Sequence, residues 1–136
     1  MSAAGQGVST TGVGQVLMSV DDTDRQVAFY TEKLGLELLF RVPDTDMAFL
    51  DAGAFRLYVD KVHEGMPVSR PVLYFTVPSV PEAHAALVSA GVTPAAPPAG
   101  EPHVVTRTES TELWMSFLHD PEGTLFALMA NVALAP

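Results

Sequence analysis

The stretch that decides the fold is QVLMSVDDTDRQVAFYTEKLGLEL, residues 15–38. It begins with a run of apolar residues that predicts a β-strand. Asp22 then supplies a helix N-cap, and the acidic residues around it suit the positive end of a helix dipole. Apolar side chains recur at three- and four-residue spacing, at Val27, Tyr30 and Leu34. Gly35 can adopt the positive φ that ends a helix, so the stretch predicts a strand followed by an amphipathic helix.

The rest of the chain repeats this order. Strands are predicted at residues 13–20, 36–41, 47–51 and 55–60, with a second set at 72–77, 101–108, 113–119 and 125–131. A second helix is predicted over residues 80–90, and the strand before it, VLYFTV at 72–77, lies 57 positions after QVLMSV at 15–20. The pattern predicts an α+β fold of two tandem βαβββ modules, at about residues 13–62 and 70–131, within one domain over 12–132. Residues 1–11 are predicted to be a disordered tail.

Composition excludes several classes of protein. The chain has 136 residues, which suits one domain, and a net charge of −9 with only seven Lys and Arg, which argues against nucleic-acid binding. No apolar run approaches the ~20 residues of a membrane helix, and no signal peptide is visible, so a cytoplasmic protein is expected. The absence of cysteine excludes thiolate chemistry. The acidic charge favours a cationic ligand.

Two motifs carry a resemblance to a known family. Residues 15–38 resemble the opening of proteins of the vicinal oxygen chelate superfamily, and WMSFLHDPEGTLFALM, residues 114–129, resembles their closing strand–turn–strand. The resemblance spans roughly residues 13–131. It implies the glyoxalase/bleomycin-resistance fold, in which two modules form a curved, half-open barrel around a cavity. It also implies a homodimer.

The resemblance also implies where a metal would bind. Relatives take one ligand from the first strand and one from the last strand of each module, and these positions fall on Gln15, Tyr58, Val72 and Ala127. Valine and alanine have no donor atom, and tyrosine seldom binds divalent metals. Catalytic metal sites usually need at least three protein ligands. The sequence therefore predicts neither a metal nor another cofactor.

Without a metal, the cavity is predicted to be a ligand pocket of apolar and aromatic groups with a few polar anchors. The predicted ligand-binding residues are Gln15, Met47, Phe49, Arg56, Tyr58, Val72, Tyr74, His103, Trp114 and Ala127. Trp114 is the foremost aromatic candidate because its strand leads into a turn that lines the cavity in relatives. The remaining histidines, His63, His84 and His119, are predicted to be structural or exposed.

Three functions stay open at this point. The favoured one is a metal-independent protein that binds a cationic or aromatic small molecule and sequesters a drug, as bleomycin-resistance proteins do. The second is a lyase, isomerase, epimerase or ring-cleaving dioxygenase, for which His103 with Glu101, or Tyr58, could serve as acid or base. The third is an interaction module whose own side chains fill the cavity. No residue is predicted to be catalytic under the favoured function.

Overall fold

The computed structural model describes residues 7–135. The first module comprises β1 Gln15–Val20, α1 Thr23–Glu32, β2 Glu37–Arg41, β3 Ala48–Asp51 and β4 Arg56–Lys61. The second comprises β5 Leu73–Thr76, α2 Val80–Ser89, β6 Thr93–Pro94, β7 His103–Arg107, β8 Thr111–His119 and β9 Leu125–Ala133. The predicted α+β class and tandem βαβββ order are confirmed, with the two-residue β6 as an addition. Most of the predicted tail lies outside the described residues, and residues 7–11 carry no helix or strand.

Each module folds into one sheet, and the two sheets have the same plan. Sheet 1 has the order β1-β4-β3-β2, and sheet 2 has the order β5-β9-β8, with β6 and β7 both pairing to β8. In both sheets the first and last strands of the module pair in parallel, and the other pairs are antiparallel. This shared topology supports the internal duplication suggested by the sequence.

Local sequence explains where the helices begin and end. The Asp22 carboxylate accepts a hydrogen bond from the Arg25 backbone N–H at 3.1 Å, and Ser79 caps α2 in the same way. Gly35 and Gly91, which follow the helices, have φ values of 74° and 91°. None of the helices in residues 7–135 is long and apolar enough to cross a membrane.

One hydrophobic core joins both modules. Sheet 1 contributes side chains such as Met18 and Leu57, and sheet 2 contributes Phe126. Helix α1 contributes Phe29 and Tyr30 to the same core, and both rings lie close to sheet 2, with the Phe29 ring 5.8 Å from the Phe126 ring. Each sheet thus has a core face and, on its other side, a face that we call the open face.

The β8–β9 turn binds helix α1 and the residues just before it. We call this contact the joint, and it is made of Gln26, Tyr30, Asp120 and Glu122. The buried Asp120 carboxylate accepts hydrogen bonds from the Tyr30 hydroxyl at 2.7 Å and the Gln26 amide at 2.8 Å. Burial, together with the Asp120 carboxylate, raises the pKa of Tyr30. Glu122 accepts from the two backbone N–H groups that precede α1. The second module therefore completes the cap of the first module's helix.

Candidate functional site

The open face of sheet 1 carries three stacked rings, Phe40, Phe49 and Tyr58, which we call the aromatic row. Strand alternation places Phe49 and Tyr58 opposite each other on the side away from the core. The Phe49 ring lies 4.5 Å from that of Phe40 and 4.9 Å from that of Tyr58, at interplanar angles of 21° and 9°. Phe49 is thus stacked with a ring from each neighbouring strand and is only 7% exposed, whereas Phe40 is 46% exposed. Phe40 is therefore the most accessible ring of the row.

Arg56 places a positive charge on this row. Its Cζ lies 4.9 Å from the Phe49 ring centroid and 5.9 Å from that of Phe40, which is cation–π geometry. Its Nε donates to Gln15 Oε1 at 3.0 Å, because the parallel pairing of β1 and β4 sets the two residues opposite each other. Two predicted polar anchors therefore form one unit beside the aromatic row.

A second polar group lies at the other end of β4. The Tyr58 hydroxyl donates to the buried Asp60 carboxylate at 2.5 Å, and His63 Nε2 lies 3.4 Å from the same carboxylate. Burial of Tyr58, with the Asp60 hydrogen bond and charge, raises the pKa of Tyr58 to about 12. Tyr58 is therefore protonated near neutral pH and already donates its proton, so it is a poor general base there.

The open face of sheet 2 is mainly apolar. Tyr74 lies opposite Ala127, and its ring meets that of Phe117 edge-on at 5.7 Å. His103 lies opposite Met115 on β7, and its Nδ1 contacts the Glu101 backbone carbonyl at 2.6 Å. A histidine–carboxylate pair is therefore not formed by His103, and its ring is instead tied to the backbone.

Two of the predicted residues lie elsewhere. Trp114 is on the core side of β8, opposite the buried Ala130, and its ring packs against the hydrophobic core. Its Nε1 donates to Glu112 at 3.3 Å. Met47 is half-buried in the turn before β3, where its carbonyl accepts from Arg41. Trp114, which the sequence predicts to line the ligand pocket, therefore lies on the core side of its strand.

A cavity of about 650 Å³ lies between the modules. The β3–β4 turn, the residues after α1 and strand β5 line it, and of the ten predicted ligand-binding residues it includes Val72 and Tyr74. The aromatic row does not line this cavity. In a single chain the predicted site residues thus form two groups, one on each sheet, and not one shared pocket.

The sequence analysis missed Phe40. Plain alternation from Leu38, which pairs with the core residue Leu50, would turn Phe40 toward the core. The β2–β3 pairing shifts between Leu38 and Phe40, however, and this irregularity brings Phe40 beside Phe49 on the open face. The available signal was the run of three apolar residues LLF at 38–40, which has no alternation.

The positions implied for a metal do not fit one. The Gln15 amide oxygen, which could ligate, accepts from the positively charged Arg56. Val72 and Ala127 have no donor atom, and the Tyr58 hydroxyl stays protonated. Nor do the described residues contain any group of three or more His, Asp or Glu arranged to hold a metal ion. The donor set on these strands therefore lacks what a divalent cation requires.

The fold and the site define a protein built from paired βαβββ modules with a ligand-accessible sheet face. The family model of the Glyoxalase/Bleomycin resistance protein/Dioxygenase superfamily matches residues 12–128, and the chain belongs to this family. A comparison with characterised protein sequences gives no match.

Solved structures share the fold. TnmS3, described as an antibiotic binding protein from Streptomyces sp. CB03234, aligns with a TM-score of 0.65 at 19% identity over 91% of this chain and 98% of its own. TioX from Micromonospora sp. ML1 aligns with a TM-score of 0.63 at 22% identity over 88% and 98%. Lactoylglutathione lyase from Agrobacterium tumefaciens aligns with a TM-score of 0.65 at 16% identity over 90% and 95%. At these identities the similarity establishes the fold.

Proposed function

We propose that this protein binds a planar, conjugated small molecule on the open face of sheet 1 and releases it unchanged. The observation that carries the proposal is the aromatic row, with Arg56 and Gln15 beside it. A half-exposed Phe40 on a sheet face that does not pack on the core offers apolar contact to a flat ligand. The adjoining polar pair can fix the orientation of that ligand.

Similar structures include both a binding protein and an enzyme, and the residues of this chain favour binding. One similar structure is described as an antibiotic binding protein, which is consistent with sequestration of a drug-like molecule by this fold. Another is a lyase, so the fold also serves catalysis. Within residues 7–135 no group of donors fits the metal that such chemistry uses, and His103 contacts a backbone carbonyl and not a carboxylate. Binding without reaction is therefore the function that the site favours.

We also expect two chains to associate. Phe40 on sheet 1 and Tyr74 on sheet 2 are 46% and 47% exposed, and exposed rings on two open faces favour burial against another surface. A homodimer in which these faces cover each other would enclose a ligand between the aromatic row and the apolar face of sheet 2. Light scattering should give the mass of two chains, and a mass of one chain at micromolar concentration would contradict the dimer.

A fluorescence titration tests the binding function. The probes are three tricyclic compounds of equal ring size, namely 2-anthracenecarboxylate, 2-anthracenemethanol and 2-anthracenemethylamine. We expect at least one to bind, and Phe40→Ser to weaken that binding roughly tenfold through loss of the aromatic contact. Val88→Ser is the matched control, because Val88 is similarly exposed at 41% but lies on α2.

The outcomes separate the candidate functions. Binding that Phe40→Ser weakens and Val88→Ser leaves intact, with each probe recovered unchanged by mass spectrometry, supports the proposal. Failure of all three probes to bind would favour a non-catalytic interaction module. Conversion of a bound probe to a new product would instead favour an enzyme.

A further inference from the structure

We propose that Arg56 and Gln15 form an anion-binding pair that selects planar ligands carrying a carboxylate, phenolate or enolate oxygen. The proposal rests on the binding function proposed above and adds the charge of the ligand. The expected ligand charge is therefore opposite to the one that the net charge of the chain suggests.

Arg56 differs from the other arginines in its ion pairing. The chain has five arginines, and four of them form ion pairs with carboxylates, namely Arg25, Arg41, Arg70 and Arg107. Among the described residues Arg56 forms none, although acidic residues outnumber basic ones by 16 to 7 in the whole chain. Asp51 lies directly opposite Arg56 in the β3–β4 pairing, but its Oδ1 accepts from the backbone N–H of Gly53 in its own turn.

Arg56 and Gln15 have hydrogen-bond donors left for a ligand. Arg56 uses its Nε–H on Gln15, so the two terminal nitrogens of its guanidinium remain for a ligand. Because Gln15 accepts through its oxygen, its amide NH₂ is also left to donate. The pair thus presents mainly donors, which match the lone pairs of an anionic oxygen, and the positive charge of its guanidinium repels a cation. The guanidinium can meet a carboxylate with two parallel hydrogen bonds.

The Arg56 side chain is held in place by its neighbours. Its guanidinium lies over Phe49, whose ring is fixed between Phe40 and Tyr58. A donor group that is already positioned loses less conformational entropy when a ligand binds. It also lies beside the row that would contact the ring system of the ligand, so the charged oxygen and the flat rings of one molecule can be bound together.

The local positive charge of Arg56 and the negative charge of the whole chain act on a ligand over different distances. Salt screens interactions between exposed charges beyond a Debye length of about 8 Å at physiological ionic strength. The net charge of −9 is spread over the whole chain, whereas the Arg56 donors would touch the ligand. The contact interaction is therefore expected to set the selectivity, and the net charge to affect mainly the rate of approach.

The same three anthracene probes test the charge preference on untagged, chelator-treated protein. We expect 2-anthracenecarboxylate to bind at least tenfold more tightly than the alcohol and more tightly still than the amine. Arg56→Met should weaken the carboxylate about 10- to 100-fold, the range for a hydrogen bond to a charged group, while changing the alcohol less than about threefold. Arg107→Met, which removes an arginine on β7 already paired with Glu112, is the control.

The results can separate this inference from the binding function. If the probes bind but the amine or the alcohol binds as tightly as the carboxylate, the anion-binding pair is refuted and the binding function stands. Equal loss of all three probes in Arg56→Met would show a purely structural role for Arg56. Stoichiometric Zn²⁺ or Mn²⁺ binding that Gln15→Ala abolishes would also overturn the inference. If no probe binds, the binding function itself fails.

Discussion

The β3–β4 turn of the first module and the β8–β9 turn of the second occupy equivalent places in the two sheets, yet they have different tasks. In the first, Asp51 accepts a hydrogen bond from Gly53 within its own turn. In the second, Asp120 reaches across to Tyr30 and Gln26 of the other module. The two modules share their strand order, and the second of these matching turns makes contacts between the modules that the first does not make.

The open faces differ in a corresponding way. The strand registers match Tyr58 of sheet 1 with Ala127 of sheet 2, because each lies opposite a phenylalanine of the neighbouring strand, Phe49 and Phe117. The Gln15–Arg56 pair corresponds by position to Val72 and Leu125, which have no polar side-chain atoms. The first module therefore carries the polar anchors of the proposed binding site, and the second supplies the turn that contacts the other module.

The largest effect is expected at the joint. Asp120→Ala should lower the free energy of unfolding by about 3–5 kcal/mol, because it removes a buried charged acceptor and leaves the hydroxyl of Tyr30 and the amide of Gln26 without one. Urea denaturation followed by circular dichroism measures the change. Asp51→Ala is the matched control and should cost less than about 1 kcal/mol, since its bond is exposed. Equal losses in the two variants would contradict the division of tasks between the turns.

A smaller effect should separate the two open faces. Phe49→Ala is expected to lower the free energy of unfolding by about 3 kcal/mol, because the ring is 7% exposed and stacked on both sides. Phe117→Ala should cost roughly half as much, since its ring is only partly buried and makes one edge-on contact. The same denaturation experiment compares them. A larger loss for Phe117 would show that the aromatic row does not stabilise sheet 1.

The smallest effect concerns pH. His84 and Val27 are each the fifth residue after a helix N-cap, and His84 is half-buried with Nδ1 3.1 Å from the Ser116 hydroxyl. Burial lowers the pKa of His84 in the folded state, so the unfolded chain binds its proton more readily. The contribution is therefore fully present above pH 6.5 and is lost as pH falls below it.

His84→Gln should make unfolding less sensitive to pH between about 6.5 and 5, with little change at pH 8. Thermal melts across that range measure the difference between the variant and the parent chain. An unchanged pH dependence in His84→Gln would show that His84 does not contribute to it.

The fold could be predicted because its signals are local. The Asp22 cap, the spacing of apolar residues in α1 and the glycine after it specify a strand–helix unit, and the second unit repeats it. The part of the candidate site on sheet 1 could also be predicted. Gln15, Arg56 and Tyr58 alternate with core residues along strands that are apolar on one face.

The remainder depended on information that a single strand does not carry. Strand β8 has large apolar residues on both faces, with Trp114 on one and Phe117 on the other, so alternation alone could not show which face meets the core. The core face even includes the polar Ser116, which is fully buried and contacts His84. The separation of the site residues into two groups likewise follows from how the modules pack.

The joint also has a consequence for synthesis of the chain. A ribosome makes the protein from its N-terminus, so α1 emerges long before Asp120 and Glu122 exist as partners. Until then the Tyr30 hydroxyl and the Gln26 amide lack the Asp120 carboxylate as their hydrogen-bond acceptor. The backbone N–H groups before the helix likewise lack the Glu122 carboxylate. The first module thus reaches its final form only after the β8–β9 turn has been made. Until then, its part of the hydrophobic core remains incomplete.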